Sequence, residues 1–292
     1  MSAATGIRWR RASRGLAIAG FGVFLLLTTQ GVLSWSFWAR AATFWPVLLV
    51  AVGARMVLER FLGPPAALVS PVVVLGTLAL VATSDHAPPL PQGEWREVEA
   101  ERPAAAESWE LDVQLAMSQV RVRGAELPED RLVAGRRKGD GSWSVRVSER
   151  DGSARVRVRG GVRHRGPFAW RGGVREVWEL DLARELPLRA DIEGAFLEGE
   201  LDLAELALTR LEIEGAFNDL ELILGEPAED VRLELNGAFN DYQLVVPETI
   251  PVRIDADGPF NLVDDRASPH SGGPGYRVRL EGAFNSVSLS SD

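Results

Sequence analysis

The sequence predicts a membrane protein in two parts: N-terminal α-helical transmembrane hairpins followed by an all-β repeat domain of the β-solenoid kind. Three observations predict this fold class. Residues 1–65 are apolar and carry a net charge of +6, whereas the rest of the chain carries −15. A phrase of the form Gly-x-Phe recurs at spacings of 21, 22, 21 and 24 residues. Around each copy, apolar and charged residues alternate, a pattern that is typical of half-buried strands.

Three apolar stretches, residues 15–33, 41–58 and 66–83, are each predicted to form a transmembrane helix. At about 1.5 Å of rise per residue, each is just long enough to cross a hydrocarbon core of about 30 Å. Arg55 is one turn from the end of the second stretch, where its side chain can reach the lipid headgroups. Because the connections are short, we expect a compact antiparallel set. A cleaved signal peptide is the weaker alternative, since two more apolar stretches follow the first.

The positively charged flanks predict the orientation. Four arginines precede the first stretch, and Arg55 and Arg60 flank the turn between the second and third stretches, so the N-terminus and this turn are predicted to lie in the cytoplasm. Three membrane crossings from a cytoplasmic N-terminus then place the rest of the chain outside the cytoplasm. We therefore predict a multi-pass protein of the inner (cytoplasmic) membrane, with a cytoplasmic N-terminus and the lipid bilayer as its first partner. Residues 84–95 form a Pro-rich linker, and residues 96–292 form the extracytoplasmic β domain.

The repeated phrase predicts coils that stack, because one unit of about 21 residues cannot bury its own apolar face. In "LEIEGAFNDLELIL" (residues 211–224), leucine and isoleucine alternate with carboxylates on both sides of Gly-Ala-Phe-Asn. Glycine supplies the bend, and we expect each phenylalanine to stack on that of the next coil, with an asparagine ladder beside it. These phenylalanines are the predicted repeat core: Phe196, Phe217, Phe239, Phe260 and Phe284.

A weaker copy begins at Leu111, with Leu115 at the glycine position and Met117 at the phenylalanine position. Three further segments between it and residue 194 also alternate like strands. The polar ending "SLSSD" favours a capped end of the stack. The pattern leaves open whether the repeats coil as one solenoid or fold as a two-sheet sandwich.

Composition excludes several classes of function. The acidic body makes nucleic acid an unsuitable partner, and the absence of cysteine excludes disulfides, thiolate metal sites and a cysteine nucleophile. The three histidines lack metal-ligand spacing. The acidic rows, and the aspartates between Asp255 and Asp265, could in principle bind Ca²⁺ or cleave glycans, but solvation of an outer face explains them better. We predict no enzyme, no cofactor and no catalytic or metal-binding residue.

One basic segment interrupts the acidic body and is the candidate interaction surface. Alternation places its first three arginines on one strand face, able to meet anionic lipid headgroups, cell-wall phosphates or an acidic protein. The alternative is a solvated face balanced by neighbouring glutamates. The candidate residues are Arg155, Arg157, Arg159, Arg163 and Arg165.

The chain resembles a known family at both ends. "GLAIAGFGVFLLL" and "FWPVLLVAVGARMVLERF", with Trp45-Pro46 opening the second span, resemble the membrane module of LiaF-like proteins. "IEGAFLEGELDLAELALTRLEIEGAFNDLELILG" and "VVPETIPVRIDADG" resemble the C-terminal β domain of cell-wall-active antibiotic response proteins and the related toast-rack domains.

The resemblance implies a non-enzymatic bacterial protein that senses or regulates cell-envelope stress through a membrane partner, such as a sensor kinase or another envelope protein. Two departures from the family stand out: three predicted spans instead of four, and the arginine-rich insert. The alternative function is an envelope scaffold or adhesin-like protein that forms homo-oligomers through its β-solenoid.

Overall fold

The computed structural model describes residues 15, 18–20, 22–23, 72–77 and 79, which are helical, and residues 93–161, 176–265 and 273–291. The predicted span 41–58 and most of the spans 15–33 and 66–83 lie outside the described residues. Within the described part of the chain, no helix combines the length and the apolar character needed to cross a bilayer. The chain divides into two compact units, and the second contains all the strands given below.

The second unit is an all-β domain, as the alternating sequence predicts. Its strands are β1 (Trp95–Glu101), β2 (Ser108–Ala125), β3 (Arg131–Gly139), β4 (Ser142–Arg150), β5 (Ser153–Gly161), β6 (Glu176–Ala183), β7 (Leu188–Asp202), β8 (Leu208–Ala216), β9 (Asp219–Ile223), β10 (Val231–Ala238), β11 (Asp241–Val246), β12 (Val252–Asp257), β13 (Leu262–Asp265), β14 (Tyr276–Ala283) and β15 (Ser286–Ser291).

Each repeat forms one coil, which consists of a strand, a corner and a second strand. The first strands of successive coils pair in parallel, in the order β2, β7, β8, β10, β14, β12, and we call them the first row. The second strands pair in parallel in the order β2, β7, β9, β11, β15, β13, the second row. The strands β2 and β7 are long enough to pass the corner and belong to both rows. The weaker copy at Leu111 is therefore a full coil of the stack.

Antiparallel strands close one end of the stack. Next to β2, the first row continues with β5 and then with the antiparallel β4. The second row continues with β6 and then with the antiparallel β3 and β1. The three alternating segments between residues 140 and 185 are thus the strands β4, β5 and β6, and they belong to the closed end of the stack.

The last two coils are exchanged relative to the sequence. The coil of β14 and β15 lies between the coil of β10 and β11 and the coil of β12 and β13. Phe239 consequently stacks on Phe284, and Phe284 stacks on Phe260. Each phenylalanine therefore stacks on that of the adjacent coil, as predicted, but for these two coils the adjacent coil is not the next one in sequence. The expectation that "SLSSD" caps the end is wrong, because β15 has a strand on both sides.

Leucine, isoleucine and valine of alternate positions fill the space between the two rows. In the coil of β8 and β9, Leu211, Ile213 and Leu222 are completely buried. Burial of one such side chain contributes about 1.5–3 kcal/mol. The phenylalanine column lies outside this buried core: four of its members are half-buried, and Phe260 is 71% exposed.

Positive φ angles make the corner. The five phenylalanines have φ of 59–61°, and Met117 has φ of 53° at the same place in its coil. The glycine two residues earlier is also in the positive region in four coils, for example at +135° in Gly237. A non-glycine residue costs free energy in this region, so neighbouring contacts must hold it there.

Stacked rings and an asparagine ladder hold the corners. Neighbouring rings in the column have centroids 4.8–5.1 Å apart and lie within 12° of parallel. The backbone N–H of Asn218 donates to Oδ1 of Asn240, that of Asn240 donates to Oδ1 of Asn285, and that of Asn285 donates to Oδ1 of Asn261. Three of these asparagines are buried, so their bonds satisfy polar groups that water does not reach.

Candidate interaction surfaces

The predicted arginine row lies on the outer face of β5, at the closed end of the stack. The alternate residues Ala154, Val156 and Val158 point into the core. Arg155 pairs with Glu110 at 2.6 Å, and Arg157 pairs with Asp112 at 2.8 Å. Both acids are on the adjacent strand β2, directly opposite in register. The hydrogen bond and the charge of Glu110 raise the pKa of Arg155.

Arg159 differs from these two arginines. Its register neighbours are Gln114 on β2 and Ser144 on β4, and its side chain is exposed. Among the described residues, no carboxylate lies within 4 Å of its guanidinium. Arg146 of β4 lies beside Arg157 in register. Arg159 therefore gives this face an uncompensated positive charge. Arg163 and Arg165 lie outside the described residues.

Arginine–carboxylate pairs connect several neighbouring strands of the first row. Arg210 of β8 bonds to Glu234 of β10 at 2.5 Å and to Glu212 of its own strand at 3.0 Å. Arg279 of β14 pairs with Glu281 at 2.6 Å. Each exposed pair contributes little to stability, about 0–1 kcal/mol. Glu193 and Glu214 on the same face are exposed and, among the described residues, have no arginine or lysine within 4 Å, so the acidic rows are compensated only in part.

The second row carries an acidic groove of about 690 Å³ across β7, β9 and β11. Its central carboxylates Glu198, Asp219 and Asp241 are register neighbours. None of the three has an arginine, lysine or histidine within 4 Å among the residues that the structure describes. Burial, followed by the charges of Asp241 and Glu198, raises the pKa of Asp219 to about 6. Burial also raises the pKa of Asp241, against a hydrogen bond from Ser286.

Within the described ranges, no group of three or more His, Cys, Asp or Glu side chains is arranged to hold a metal ion. This holds for the acidic groove and for the described aspartates of β12 and β13.

The closed end contains a buried ion pair that the sequence pattern did not predict. Arg137 of β3 and Glu176 of β6 are 1% and 0% exposed and lie 3.4 Å apart. Trp178 donates its indole N–H to Glu176 at 3.0 Å. Burial raises the pKa of Glu176 and lowers that of Arg137. Both residues stand in alternating charged strands, and no local signal separates them from solvent-facing neighbours. The pair holds β3 against β6, so its role is structural.

The opposite end of the stack is open. Among the described residues, β12 pairs with β14 alone and β13 pairs with β15 alone. Phe260, Leu262 and Val263 are 71%, 44% and 40% exposed there. We call the unpaired sides of β12 and β13, together with Phe260, the open edge.

Comparison with known families agrees with both parts of the fold. Residues 15–57 match the LiaI-LiaF-like transmembrane region. Residues 92–238, half of the chain, match the N-terminal domain of toast_rack. The first match covers the first two predicted spans and leaves the third as a prediction. Neither family is known as an enzyme family.

The β domain is also similar to a solved structure, that of a proposed cell adhesion protein from Clostridium sporogenes. The two share 15% identity with a TM-score of 0.56, over 69% of this chain and 100% of the other. This likeness shows a shared fold. No curated protein matches the chain. On the two family matches, the chain belongs to the toast_rack N-terminal domain family and carries the LiaI-LiaF-like transmembrane region ahead of that domain.

Proposed function

We propose that this membrane protein senses or regulates cell-envelope stress by contacting a membrane partner such as a sensor kinase. In this proposal the three spans cross the inner membrane from a cytoplasmic N-terminus, and the β domain lies outside the cytoplasm. The observation that carries the proposal is the combination of a LiaI-LiaF-like transmembrane region with a stiff stack of coils that presents charged outer faces.

The arginine row is the proposed contact for an anionic surface. Arg155 and Arg157 are already paired with carboxylates, so their charges are compensated and attract an anionic partner only weakly. Arg159 is the member of the row whose charge no described carboxylate compensates. A lipid headgroup, a cell-wall phosphate or an acidic protein would bind there through charge-assisted hydrogen bonds. Arg163 and Arg165 belong to the same proposed surface.

The first test is cross-linking and pull-down of the full-length protein from native membranes, with and without a cell-wall antibiotic. Recovery of a sensor kinase whose contact changes with the drug supports the proposal. Arg159→Glu should reduce that recovery, whereas Arg232→Glu, at an exposed arginine of β10 in the middle of the stack, should not. Recovery of self-contacts alone, unchanged by the drug, would contradict it.

A second candidate function is an envelope scaffold that self-associates through its coils. The exposed apolar residues of the open edge favour it, because an unpaired strand edge is a template for another chain. The fold shared with the proposed adhesion protein is compatible with this role. Sedimentation of the full-length protein in detergent over a range of concentrations tests it. A mass that stays at that of a single chain at every concentration would exclude self-association.

A further inference from the structure

The corners of the internal coils carry a partly exposed apolar strip. Their phenylalanine rings stack at steps of 4.9–5.1 Å outside the buried core, and the alanine before each ring is partly exposed as well. Scattered apolar residues are normal on a protein surface, whereas a continuous strip with a polar rim is typical of an interaction site. We call these residues the corner strip: Phe196, Phe217, Phe239 and Phe284, with the alanine before each.

Carboxylates run along both sides of the corner strip. On the first-row side, Glu193 and Glu214 are register neighbours just before the corner. On the second-row side, Glu198, Asp219 and Asp241 are register neighbours just after it. Among the described residues, no arginine, lysine or histidine lies within 4 Å of any of these five side chains. The corner strip therefore has an acidic rim on each side.

The uncompensated charge of the rim is concentrated in the middle coils. In the coil of β2, the residues at the two rim positions are Gln114 and Gln119, which are uncharged. In the coil of β14 and β15 they are Glu281, which pairs with Arg279 at 2.6 Å, and Ser286. The free carboxylates thus belong to the strands β7 to β11, beside three of the four rings.

Charge limits what can cover the corner strip. The acidic rim repels nucleic acid, other polyanions and anionic lipid headgroups, and two corner strips brought together would repel each other. The arginine face of a second copy has the opposite charge. However, the described positions on the outer faces of β4 and β5 carry only arginine, serine and glycine, so they offer no apolar side chain to the rings. The surface fits a partner that is both basic and apolar.

The backbone of the corner favours a helix over an extended segment. The N–H groups of Phe239 and Asn240 already donate to Ala283 and Asn285, so an added strand would find them occupied. A helix satisfies its own backbone and binds through side chains alone. Its pitch of about 5.4 Å is close to the ring steps of 4.9–5.1 Å, whereas an extended segment repeats at about 6.6 Å. One apolar residue per helical turn can therefore lie over each ring.

We propose that the corner strip binds a basic amphipathic helix of a partner protein. The apolar stripe of that helix lies along the phenylalanine rings, and its lysines and arginines face the two acidic rims. The inference rests on the proposed function in one respect, since it supposes that the domain contacts another protein. It adds the surface that makes the contact and the chemistry of the partner.

Peptide binding to the full-length protein in nanodiscs of uncharged lipid tests the proposal, with empty nanodiscs as the blank. The probe is a labelled helical peptide of about five turns, with one leucine per turn, lysines on both sides of the leucines and alanine elsewhere. Fluorescence anisotropy measures its affinity. The same peptide with glutamate in place of lysine should bind at least about tenfold more weakly, because it repels both rims.

Two further peptides separate a helix that lies on the rings from general attraction to acidic protein. A peptide of the same composition, with its leucines spread around the helix, should bind at least about fivefold more weakly because it has no apolar stripe. A peptide with a central proline should also lose most of its affinity, because proline breaks the helix. Equal binding of either peptide would overturn the proposal, and so would the absence of binding by the first probe.

Paired variants locate the site on the protein. Glu193→Gln with Glu214→Gln removes charge from the first-row rim, and Glu198→Gln with Asp241→Asn removes it from the second-row rim. Each pair should weaken binding about threefold to tenfold, as expected for the loss of two partly exposed ion pairs.

A matched control removes the same charge elsewhere. Glu226→Gln with Glu229→Gln, at exposed positions between β9 and β10 and away from the corner, should leave binding unchanged. An equal loss in this control would show general electrostatic attraction and contradict the proposed site.

Self-association is the remaining outcome. If the peptide does not bind, but the protein self-associates and both rim variants weaken that association, the corner strip belongs to a second copy and the proposal of a basic helix is wrong. These measurements need neither a kinase nor an antibiotic. Failure of peptide binding is therefore distinguishable from failure of the proposed stress response.

Discussion

At the corner of four coils, a phenylalanine and the glycine two positions before it both adopt positive φ angles, which residues with side chains usually avoid. The sequence indicated the bend from Gly-x-Phe, and glycine was the expected place of positive φ. The structure adds that phenylalanine itself has φ near 60°, and that Met117 does the same without a preceding glycine. Local propensity could not predict this, because the ring stack and the asparagine ladder that hold the angle come from other coils.

Gly237 should not tolerate a side chain. A Cβ there would lie 1.7 Å from the carbonyl oxygen of Gly215, at a φ of +135°. We expect Gly237→Ala to lower the free energy of unfolding by about 3 kcal/mol or more. Denaturant unfolding followed by tryptophan fluorescence measures it. Gly161→Ala is the matched control, since no described residue lies within 4 Å of a Cβ at that position, and a similar loss in that variant would contradict the explanation.

Asp219 should make stability depend on pH. Its pKa of about 6 in the folded protein lies above the value of about 3.9 in an unfolded chain. Its contribution to stability is therefore complete below about pH 4 and is lost as the pH rises through 6. Asp219→Asn should remove part of the fall in unfolding free energy between pH 5 and pH 7.5, about 1 kcal/mol after allowance for solvent screening. A variant that keeps the whole wild-type fall would refute this assignment.

Among the elements, the coil is the unit of both the sequence and the structure. Strand alternation at residues such as Leu211 and Ile213 was enough to predict which side chains are buried. The position of the phenylalanines was harder to predict, because a side chain at a corner can stack on its neighbours without entering the core. The arginine row shows the same limit: alternation placed it on an outer face, but its partners Glu110 and Asp112 belong to a strand that is distant in sequence.

The phenylalanine column should be more sensitive in its middle than at its end. Phe239 has rings on both faces, at 5.1 and 5.0 Å, whereas Phe260 has one neighbour and is 71% exposed. We expect Phe239→Ala to cost about 2–3 kcal/mol of unfolding free energy and Phe260→Ala about 1 kcal/mol or less. Chemical denaturation of the two variants side by side measures the difference. Equal losses would mean that stacking contributes little.

For the whole molecule, the order of the coils was beyond sequence reasoning. Every copy of the phrase is compatible with every neighbour, so the spacing near 21 residues predicts stacking in chain order. The composition of the two coils offers a physical reason why β14 and β15 lie inside the stack and β12 and β13 lie at its end. The outermost coil has short strands, several aspartates and Pro259 in place of the usual alanine, all features that suit an edge. The apolar, regularly alternating coil of β14 and β15 suits an interior position with strands on both sides.

Engineered disulfides can test the exchanged order, because the chain has no native cysteine. Gln243 of β11 and Ser288 of β15 are register neighbours, and adjacent strands are close enough for a disulfide. Gln243→Cys with Ser288→Cys should therefore form an intramolecular bond on mild oxidation, detected by mass spectrometry. Gln243→Cys with Asp264→Cys should not, since β15 lies between them. The reverse result would establish stacking in chain order.

The exchange also makes an interior place of the stack depend on residues that are synthesised after the outermost coil. A ribosome releases the coil of β12 and β13 before it makes the residues that fill the place beside β10 and β11. Until β14 and β15 are made, the place between the coil of β10 and β11 and the coil of β12 and β13 is unfilled. A chain that ends early keeps this gap, and cellular proteases that cut extended, unprotected backbone can distinguish it from the finished product.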